Sequence, residues 1–168
     1  MLKLLLMRHG KSDWGSAAGG DQARPLAPRG VKAARRVGLF LTATGEAPDS
    51  VVTSPAVRAR STAELAAEAG GWNGAFRVAS DLYGGGPEGV LAEVRCEPSA
   101  TGTLLVAGHE PTWSHLASML TGGSRFRFPT AAVACVAFEC GDWSQVAPGR
   151  GELLWFVTPK LLKGVAEG

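Results

Sequence analysis

The chain has 168 residues, of which 45% are hydrophobic and 19% charged, and its formal net charge is +2 at pH 7. This length suits a single domain that buries a substantial core, and the composition excludes an intrinsically disordered chain. The nearly balanced charge, with no block of basic residues, argues against nucleic acid as the main partner.

The N-terminal run and the cysteines bear on where the protein resides. The apolar run is only a few residues long, contains Lys3 and ends at Arg8, so it does not resemble a secretory signal peptide. No stretch approaches the roughly 20 apolar residues that a membrane span requires. The cysteines form no C-x-x-C pair and suit a reducing compartment. We therefore expect a cytoplasmic protein without a membrane partner.

The first half of the chain alternates strand-like and helix-like segments. An apolar run over residues 2–7 predicts a strand buried on both faces of a parallel sheet. The Gly- and Ala-rich residues 12–27 predict a loop close to the end of that strand. The next predicted elements are a helix over 28–41, a short β-branched strand over 50–53, and a helix over 56–69 that ends at two glycines.

The same alternation continues through the second half. It predicts a strand over residues 76–79, a short helix opened by Pro87, a buried strand over 103–107 and a helix capped by Thr112. We expect two late strands, over 131–138 and 152–157, to be antiparallel neighbours, followed by a C-terminal tail over 158–168. The pattern predicts an α/β fold: a single domain over residues 1–168, with three α/β/α layers around a mostly parallel central sheet.

Three segments each place phosphate-seeking residues just past a predicted strand. RHG (residues 8–10) ends the first apolar run, SPAVRARST (54–62) follows the short strand, and GHEP (108–111) follows the strand over 103–107. Open α/β sheets bind ligands at the carboxyl edge of their strands. The three segments therefore predict a common anion-binding site at that edge.

In this order, RHGKSDW (8–14), SPAVRARST and GHEP resemble the histidine phosphatase superfamily, whose fold is also called phosphoglycerate mutase-like. At this chain length, the first and third segments look most like its small SixA-type phosphohistidine phosphatase branch. The middle segment is similar to the family's S-P-x-x-R-A-x-x-T pattern, which selects Arg58 over Arg60 as the site arginine. The resemblance runs from Met1 to about Ala117.

The resemblance implies that His9 attacks phosphorus and forms a phosphohistidine intermediate that water then cleaves. The chemistry of the residues agrees, because a phosphoryl group in transfer needs cations around its oxygens, and Arg8 and Arg58 can clamp it bidentately. Nearby positive charge lowers the pKa of an imidazole and so keeps His9 neutral and nucleophilic near pH 7. His109 is expected to donate a hydrogen bond to a phosphate oxygen.

Other polar residues keep open roles. Many superfamily members carry an acidic Glu where this chain has Ser80, so the general acid is unassigned between Asp81, which follows it, and Glu110, at a position that another branch uses. Ser12 and Thr62 are candidates for hydroxyl contacts to phosphate, with capping or packing as the alternative. The chain also has no room for the insertions that form a specificity cap in larger members. An open site suits a protein-borne phosphate or a small accessible ester.

No metal and no other cofactor is expected. The chain has 3 histidines, and His115 lies too far along the chain from His109 for the two to share a helix face as an i, i+4 metal pair does. No ordered spacing of Cys and His suggests a structural metal site either. We expect His115 to lie at the surface or in packing.

The sequence thus predicts a metal-independent phosphatase that acts through His9, with a phosphohistidine-bearing protein as the favoured substrate. One alternative is a small-molecule phosphomonoesterase or mutase for sugar or nucleotide phosphates. A non-enzymatic alternative is a phosphate-binding adaptor. The intact nucleophile argues against the adaptor, because a pure binding module needs arginines but no nucleophilic histidine.

Overall fold

The structure, a computed structural model, describes residues 1–16 and 19–165, whose strands form one six-stranded sheet flanked by helices. The strands are β1 (Leu2–Arg8), β2 (Ser50–Thr53), β3 (Ala75–Val78), β4 (Thr103–Gly108), β5 (Val133–Phe138) and β6 (Glu152–Val157). The helices are α1 (Pro28–Ala43), α2 (Val57–Gly70), α3 (Gly86–Arg95), α4 (Thr112–Leu120) and α5 (Pro159–Val165). The predicted α/β fold is confirmed, with element bounds shifted by one or two residues in several places.

The sheet is parallel on one side and antiparallel on the other. Its strand order is β3-β2-β4-β1-β5-β6. The pairs β2–β3, β2–β4 and β1–β4 are parallel, whereas β1–β5 and β5–β6 are antiparallel. The two late strands are therefore antiparallel neighbours, as predicted. The carboxyl ends of β1, β2 and β4 meet at one edge of the sheet.

Strand β1 shows why a continuous apolar run was needed at the centre of the sheet. Successive side chains of a strand point to opposite faces. Leu4 and Leu6 belong to a cluster that contains buried residues of α3 and α4, whereas Leu5 and Met7 belong to a second cluster with residues of α1 and α2. Both faces of β1 are thus covered by helices, which gives the three-layer arrangement.

The C-terminal segment differs from the prediction. Residues 158–168 were expected to form a tail, but Pro159–Val165 forms helix α5, which packs against α1 and buries Leu162. A helix this short shows little hydrophobic periodicity in sequence, and its stability comes from packing against the rest of the fold. The expectation of a tail over residues 159–165 is therefore wrong, and residues 166–168 lie outside the described part of the chain.

Candidate active site

The register of two parallel strands brings the predicted histidines together. Arg8, the last residue of β1, is paired with Gly108, the last residue of β4. His9 and His109 therefore leave the sheet side by side at the same edge. Their ring centroids are 5.2 Å apart.

A cavity of about 220 Å³ opens beside these histidines. Cationic side chains dominate its wall, which suits an anionic ligand. The residues around it are Arg8, His9, Lys11, Ser12, Trp14, Arg24, Arg58, His109, Glu110 and Thr130.

The imidazole of His9 is buried and has a defined tautomer. Its Nδ1 lies 2.7 Å from the carbonyl oxygen of Gly10, and because a carbonyl only accepts, Nδ1 carries the proton and Nε2 keeps a lone pair. Burial, reinforced by the charges of Arg58, Arg8 and Arg24, lowers the pKa of His9 to about 4. From the sequence, a lowered pKa of His9 was expected from nearby positive charge, whereas removal of the ring from water is the larger cause. His9 is neutral at pH 7.

Both predicted arginines line the cavity and are held by their terminal nitrogens. Nη1 of Arg8 donates to the carbonyl oxygen of Phe128 at 2.7 Å. Nη1 of Arg58 donates to the carbonyl oxygen of Asp21 at 2.7 Å, and its Nη2 donates to the Asp21 carboxylate at 3.0 Å. Among the described residues, the buried Nε of each arginine has no hydrogen-bond partner. Arg60 is exposed and forms an ion pair within its own helix.

The carboxylate of Asp21 connects three residues at the edge of the site. It accepts hydrogen bonds from Arg58, from Nη1 of Arg24 at 2.7 Å and from the hydroxyl of Tyr83 at 2.7 Å. The hydrogen bond from Tyr83, together with those from the two arginines, lowers the pKa of Asp21 well below its usual range. Asp21 is therefore ionised at neutral pH and orients Arg58.

Arg24 is a third arginine in the wall of the cavity, and like Arg58 it is buried. Its Nε donates to the Ser12 hydroxyl oxygen at 3.0 Å, and its guanidinium carbon lies 3.7 Å from the centroid of a Trp14 ring. Neither Arg24 nor Asp21 is predicted as a site residue from the sequence. In the sequence these two residues are a pair of opposite charges in a loop otherwise rich in Gly and Ala. Nothing in the loop's own sequence indicates that it packs against the site.

Ser54 holds the second histidine. It follows β2 as His109 follows β4, and its hydroxyl oxygen lies 2.7 Å from Nε2 of His109. The same oxygen accepts the backbone N–H of Ala56 at 3.2 Å, and within residues 1–16 and 19–165 its own proton has no other acceptor. The hydroxyl therefore donates to Nε2, which places the proton of His109 on Nδ1.

Nδ1 of His109 is buried and has no partner in the described part of the chain. Burial, with the charges of His9 and Arg58, lowers the pKa of His109 to about 3. This ring is therefore also neutral at pH 7, with one N–H still free to donate. Ser54 belongs to the motif SPAVRARST, but the sequence alone predicts no role for it.

Two residues of the predicted motifs, Thr62 and Gly10, have structural roles. Thr62 was a candidate phosphate contact, but it is fully buried and its hydroxyl accepts the N–H of Gly10 at 2.9 Å while donating to the carbonyl oxygen of Arg58 at 2.6 Å. The backbone N–H of Gly10 is therefore engaged within the protein. A Cβ on Gly10 would lie 2.9 Å from the carbonyl oxygen of Gly30, so the glycine is required for close packing against α1. Thr62 therefore takes the packing alternative, whereas Ser12 reaches the cavity.

Neither candidate general acid is free in the cavity. Glu110 lines the cavity wall, but its carboxylate accepts the backbone N–H of Ser114 at 2.8 Å and also its hydroxyl. This acceptor role at the first turn of α4 replaces the capping expected of Thr112, which is the first residue of that helix. Asp81 is exposed on the segment after β3 and does not line the cavity. Ser80 is exposed as well.

Residues 1–16 and 19–165 contain neither a cluster of metal-ligating side chains nor a helix that could span a membrane. No group of three or more His, Cys, Asp and Glu side chains is arranged to hold a metal ion. No helix in that part of the chain is both long and apolar enough to cross a membrane. His115 is exposed on α4.

Comparison with known sequences identifies the family. Residues 4–82 match the model of the histidine phosphatase superfamily, branch 1. The uncharacterized protein Rv1276c of Mycobacterium tuberculosis is 38% identical over 164 residues, which cover 92% of this chain and 100% of the relative.

Solved structures extend the similarity to the fold. A protein of Nakamurella multipartitia that has been assigned as a phosphohistidine phosphatase SixA is 32% identical, with a TM-score of 0.81 over 94% of this chain and 96% of its own. The protein histidine phosphatase SixA in complex with tungstate is 26% identical, with a TM-score of 0.83 over 96% and 99%. A mycobacterial glucosyl-3-phosphoglycerate phosphatase, 16% identical with a TM-score of 0.67 over 91% and 97%, shares the fold.

These similarities and the paired histidines agree with the resemblance in the sequence motifs. They also set aside the non-enzymatic adaptor. The chain belongs to the histidine phosphatase superfamily, and it is a phosphatase with SixA-like structure.

Proposed function

We propose that this phosphatase removes phosphate from phosphohistidine on a protein, through a covalent intermediate on His9. The observation that carries the proposal is a cationic cavity in which no described carboxyl group is free to protonate a leaving group. Asp21 is ionised and bound to two arginines, Glu110 is bound to Ser114, and Asp81 lies outside. Such a site favours substrates whose leaving group needs little protonation.

The nucleophilic step follows from the tautomer of His9. Because Nδ1 donates to Gly10, Nε2 presents its lone pair and attacks phosphorus. A P–N bond forms to Nε2 while the bond from phosphorus to the leaving nitrogen breaks, and the electron pair of that bond stays on the departing ring. The other ring nitrogen of the substrate phosphohistidine already carries a proton, so the ring leaves as neutral imidazole. Water then attacks phosphorus in line, the bond to Nε2 breaks, and inorganic phosphate leaves with His9 restored.

The clamp stabilises the charge of the phosphoryl oxygens during both steps. Arg8 and Arg58 are held through their Nη atoms by Phe128 and Asp21, so each offers an unpartnered Nε–H together with a remaining Nη–H for bidentate contact. His109, which Ser54 orients, donates from Nδ1 to a phosphoryl oxygen on a third side of the group. Donors that are already oriented need no rearrangement as charge develops, which is the main source of such stabilisation.

The leaving group separates this proposal from a small-molecule phosphomonoesterase. An alkoxide is a poor leaving group, and its departure gains about 10²–10⁴-fold from a placed general acid. Imidazole from phosphohistidine and nitrophenolate from an aryl phosphate need much less help. The proposed substrate therefore fits a site whose usual acid position is occupied by Ser80.

A substrate panel tests the proposal. We expect efficient hydrolysis of a phosphohistidine protein and of nitrophenyl phosphate, with kcat/KM at least about 10²-fold lower for phosphoserine, sugar phosphates and phosphoglycerate. Asp81→Asn and Glu110→Gln should leave the rates on the two activated substrates within about twofold. A high rate on an alkyl phosphate that is lost in one of these variants would identify a general acid and assign the enzyme to small-molecule substrates.

A further inference from the structure

A groove rich in cations runs outward from the mouth of the active-site cavity. Lys11 and Thr130 line the cavity and also a neighbouring depression of about 360 Å³. Arg29 and Lys160 line that depression and, beyond it, a groove of about 540 Å³ between α1 and α5. We call this continuous surface the basic groove.

The basic groove is built from cations at helical spacing. Arg29, Lys32 and Arg36 lie on one side of α1, and Lys160 faces them from α5. With a rise of 1.5 Å per residue, the three α1 cations extend over about 10 Å. The side chains thus form a track that starts at Lys11, beside the nucleophile, and leads away from it.

The charge of this groove is not balanced by carboxylates of the described chain. Neither α1 nor α5 contains Asp or Glu, and no carboxylate of residues 1–16 or 19–165 lines the groove. Within residues 1–16 and 19–165, Arg29, Lys32, Arg36 and Lys160 form no ion pair. Arg35, on the same helix but outside the groove, is paired with Glu68 at 3.2 Å. Unpaired cations are therefore concentrated on the face that continues the active site, although the whole chain has a net charge of only +2.

The dimensions of the groove indicate the kind of ligand. A phosphate ester small enough for the 220 Å³ cavity does not extend as far as Lys32 and Arg36. A flat membrane surface does not enter a concave groove. An extended or helical segment of polypeptide does, and its carboxylates would complement the cations along the track.

Resting on the proposed function, we propose that the basic groove binds acidic residues that flank the phosphohistidine of a protein substrate. The phosphoryl group occupies the cavity while neighbouring Asp and Glu side chains lie along α1 and α5. The groove thereby selects acidic phosphoproteins over neutral or basic ones. It also increases the rate of encounter, because complementary charge steers association.

Two peptides and two matched double variants test this inference. Each peptide carries one phosphohistidine, flanked on both sides by glutamates in one peptide and by glutamines in the other. Lys32→Gln with Arg36→Gln removes two groove charges, and Arg35→Gln with Arg60→Gln removes two charges elsewhere. Each exposed ion pair contributes little, but several pairs form together along the groove. We therefore expect the wild type at low salt to have a kcat/KM about tenfold higher for the glutamate peptide than for the glutamine peptide.

We expect that preference to fall to about twofold or less in the groove variant and to persist in the control variant. Both variants should keep the wild-type rate on nitrophenyl phosphate, which reports correct folding. Salt of about 0.5 M should also remove the preference, because it screens exposed charges. Equal kcat/KM for the two peptides in the wild type, or equal loss in both variants, would overturn the inference and leave the proposed function standing.

If the wild type hydrolyses nitrophenyl phosphate but neither peptide, the proposed substrate is wrong. The groove is then judged by fluorescence anisotropy with an unphosphorylated glutamate peptide. Weaker binding by the groove variant than by the control variant supports an acidic polypeptide as the ligand, and equal binding excludes it. Loss of binding to vesicles of anionic lipid, with peptide binding unchanged, would also contradict the assignment.

Discussion

The hydroxyl oxygen of Ser54 lies 2.7 Å from Nε2 of His109, across 55 positions of the chain. This contact is possible because β2 and β4 are parallel neighbours, with Thr53 opposite Ala107. It decides which nitrogen of His109 carries the proton. A histidine that is buried and neutral can donate to phosphate only from the nitrogen that keeps its hydrogen, so Ser54 sets the function proposed for His109.

Replacing Ser54 therefore tests the arrangement. We expect Ser54→Ala to lower kcat by about 10–100-fold with a smaller change in KM, because a donor that stabilises the transition state is no longer oriented. Ser61→Ala on α2, outside the cavity, is the matched control and should have no effect. In a His109→Gln background, Ser54→Ala should cause little further loss. Additive losses in the double variant would show that Ser54 acts independently of His109.

Removal of the proposed nucleophile should abolish turnover. We expect His9→Ala to lower kcat by about 10⁴-fold or more, as for other enzymes that lose a nucleophile. Thermal unfolding should show an intact fold. In the wild type, a quenched reaction should contain phosphate on His9 that is labile to acid and stable to base. Turnover at the wild-type rate in His9→Ala would refute the assignment.

The position of Asp21 predicts an indirect effect on phosphate binding. Asp21→Ala removes the acceptor that holds Arg58, Arg24 and Tyr83, so we expect a KM for nitrophenyl phosphate about tenfold higher and weaker inhibition by inorganic phosphate. Asp13→Ala, on the same loop, should behave as wild type, because among the described residues the Asp13 carboxylate accepts only the N–H of Gly15. An unchanged KM in Asp21→Ala would mean that Arg58 keeps its orientation without this carboxylate.

The lowered pKa values of the two histidines predict how stability depends on pH. Burial lowers the pKa of His9 to about 4 and that of His109 to about 3, whereas both are near 6.5 in an unfolded chain. As the pH falls from 6.5 towards 4, the unfolded chain binds protons that the folded protein does not, and the free energy of unfolding therefore decreases. The lowered pKa of Asp21 acts in the same direction but over a lower range of pH, since its contribution to the free energy of unfolding is present above about 4 and is lost only at lower pH.

Comparing the pH dependence of Tm between the wild type and His9→Asn isolates the contribution of His9. We expect the Tm of the wild type to fall more steeply between pH 6.5 and 4.5 than that of His9→Asn, with the two slopes equal above pH 7. Parallel curves through the acidic range would show that His9 has an ordinary pKa in the folded protein.

Dependence on ions follows from a clamp made of side-chain cations. We expect EDTA to leave the rate on nitrophenyl phosphate unchanged, while tungstate, vanadate and inorganic phosphate compete with substrate. Arg8→Ala and Arg58→Ala should each weaken this inhibition by more than about tenfold, whereas Arg60→Ala, which alters an exposed arginine, should not. A strict requirement for Mg²⁺ or Zn²⁺ would instead indicate metal-assisted hydrolysis.

The sequence alone determined the sheet and the position of its functional edge. An apolar run on β1 requires cover on both faces, and strands that alternate with helices run parallel. The segments after β1, β2 and β4 must then meet at one edge, so RHG, SPAVRARST and GHEP were predictable as a shared site. Motif register likewise selected Arg58, which lines the cavity, over Arg60, which does not.

Only the tertiary structure decided what holds these residues in place. Asp21 reaches Arg58 across 37 positions, and no local pattern predicts that a loop rich in Gly and Ala delivers that carboxylate. The tautomers of both histidines depend on acceptors and donors that packing supplies, and the removal from water that lowers their pKa values exists only in the folded chain. Helix α5 likewise depends on the tertiary structure, because it packs against α1 and there completes the basic groove. Hydrophobic pattern and strand direction are properties of neighbouring residues, whereas these contacts join residues that only the packed fold brings together.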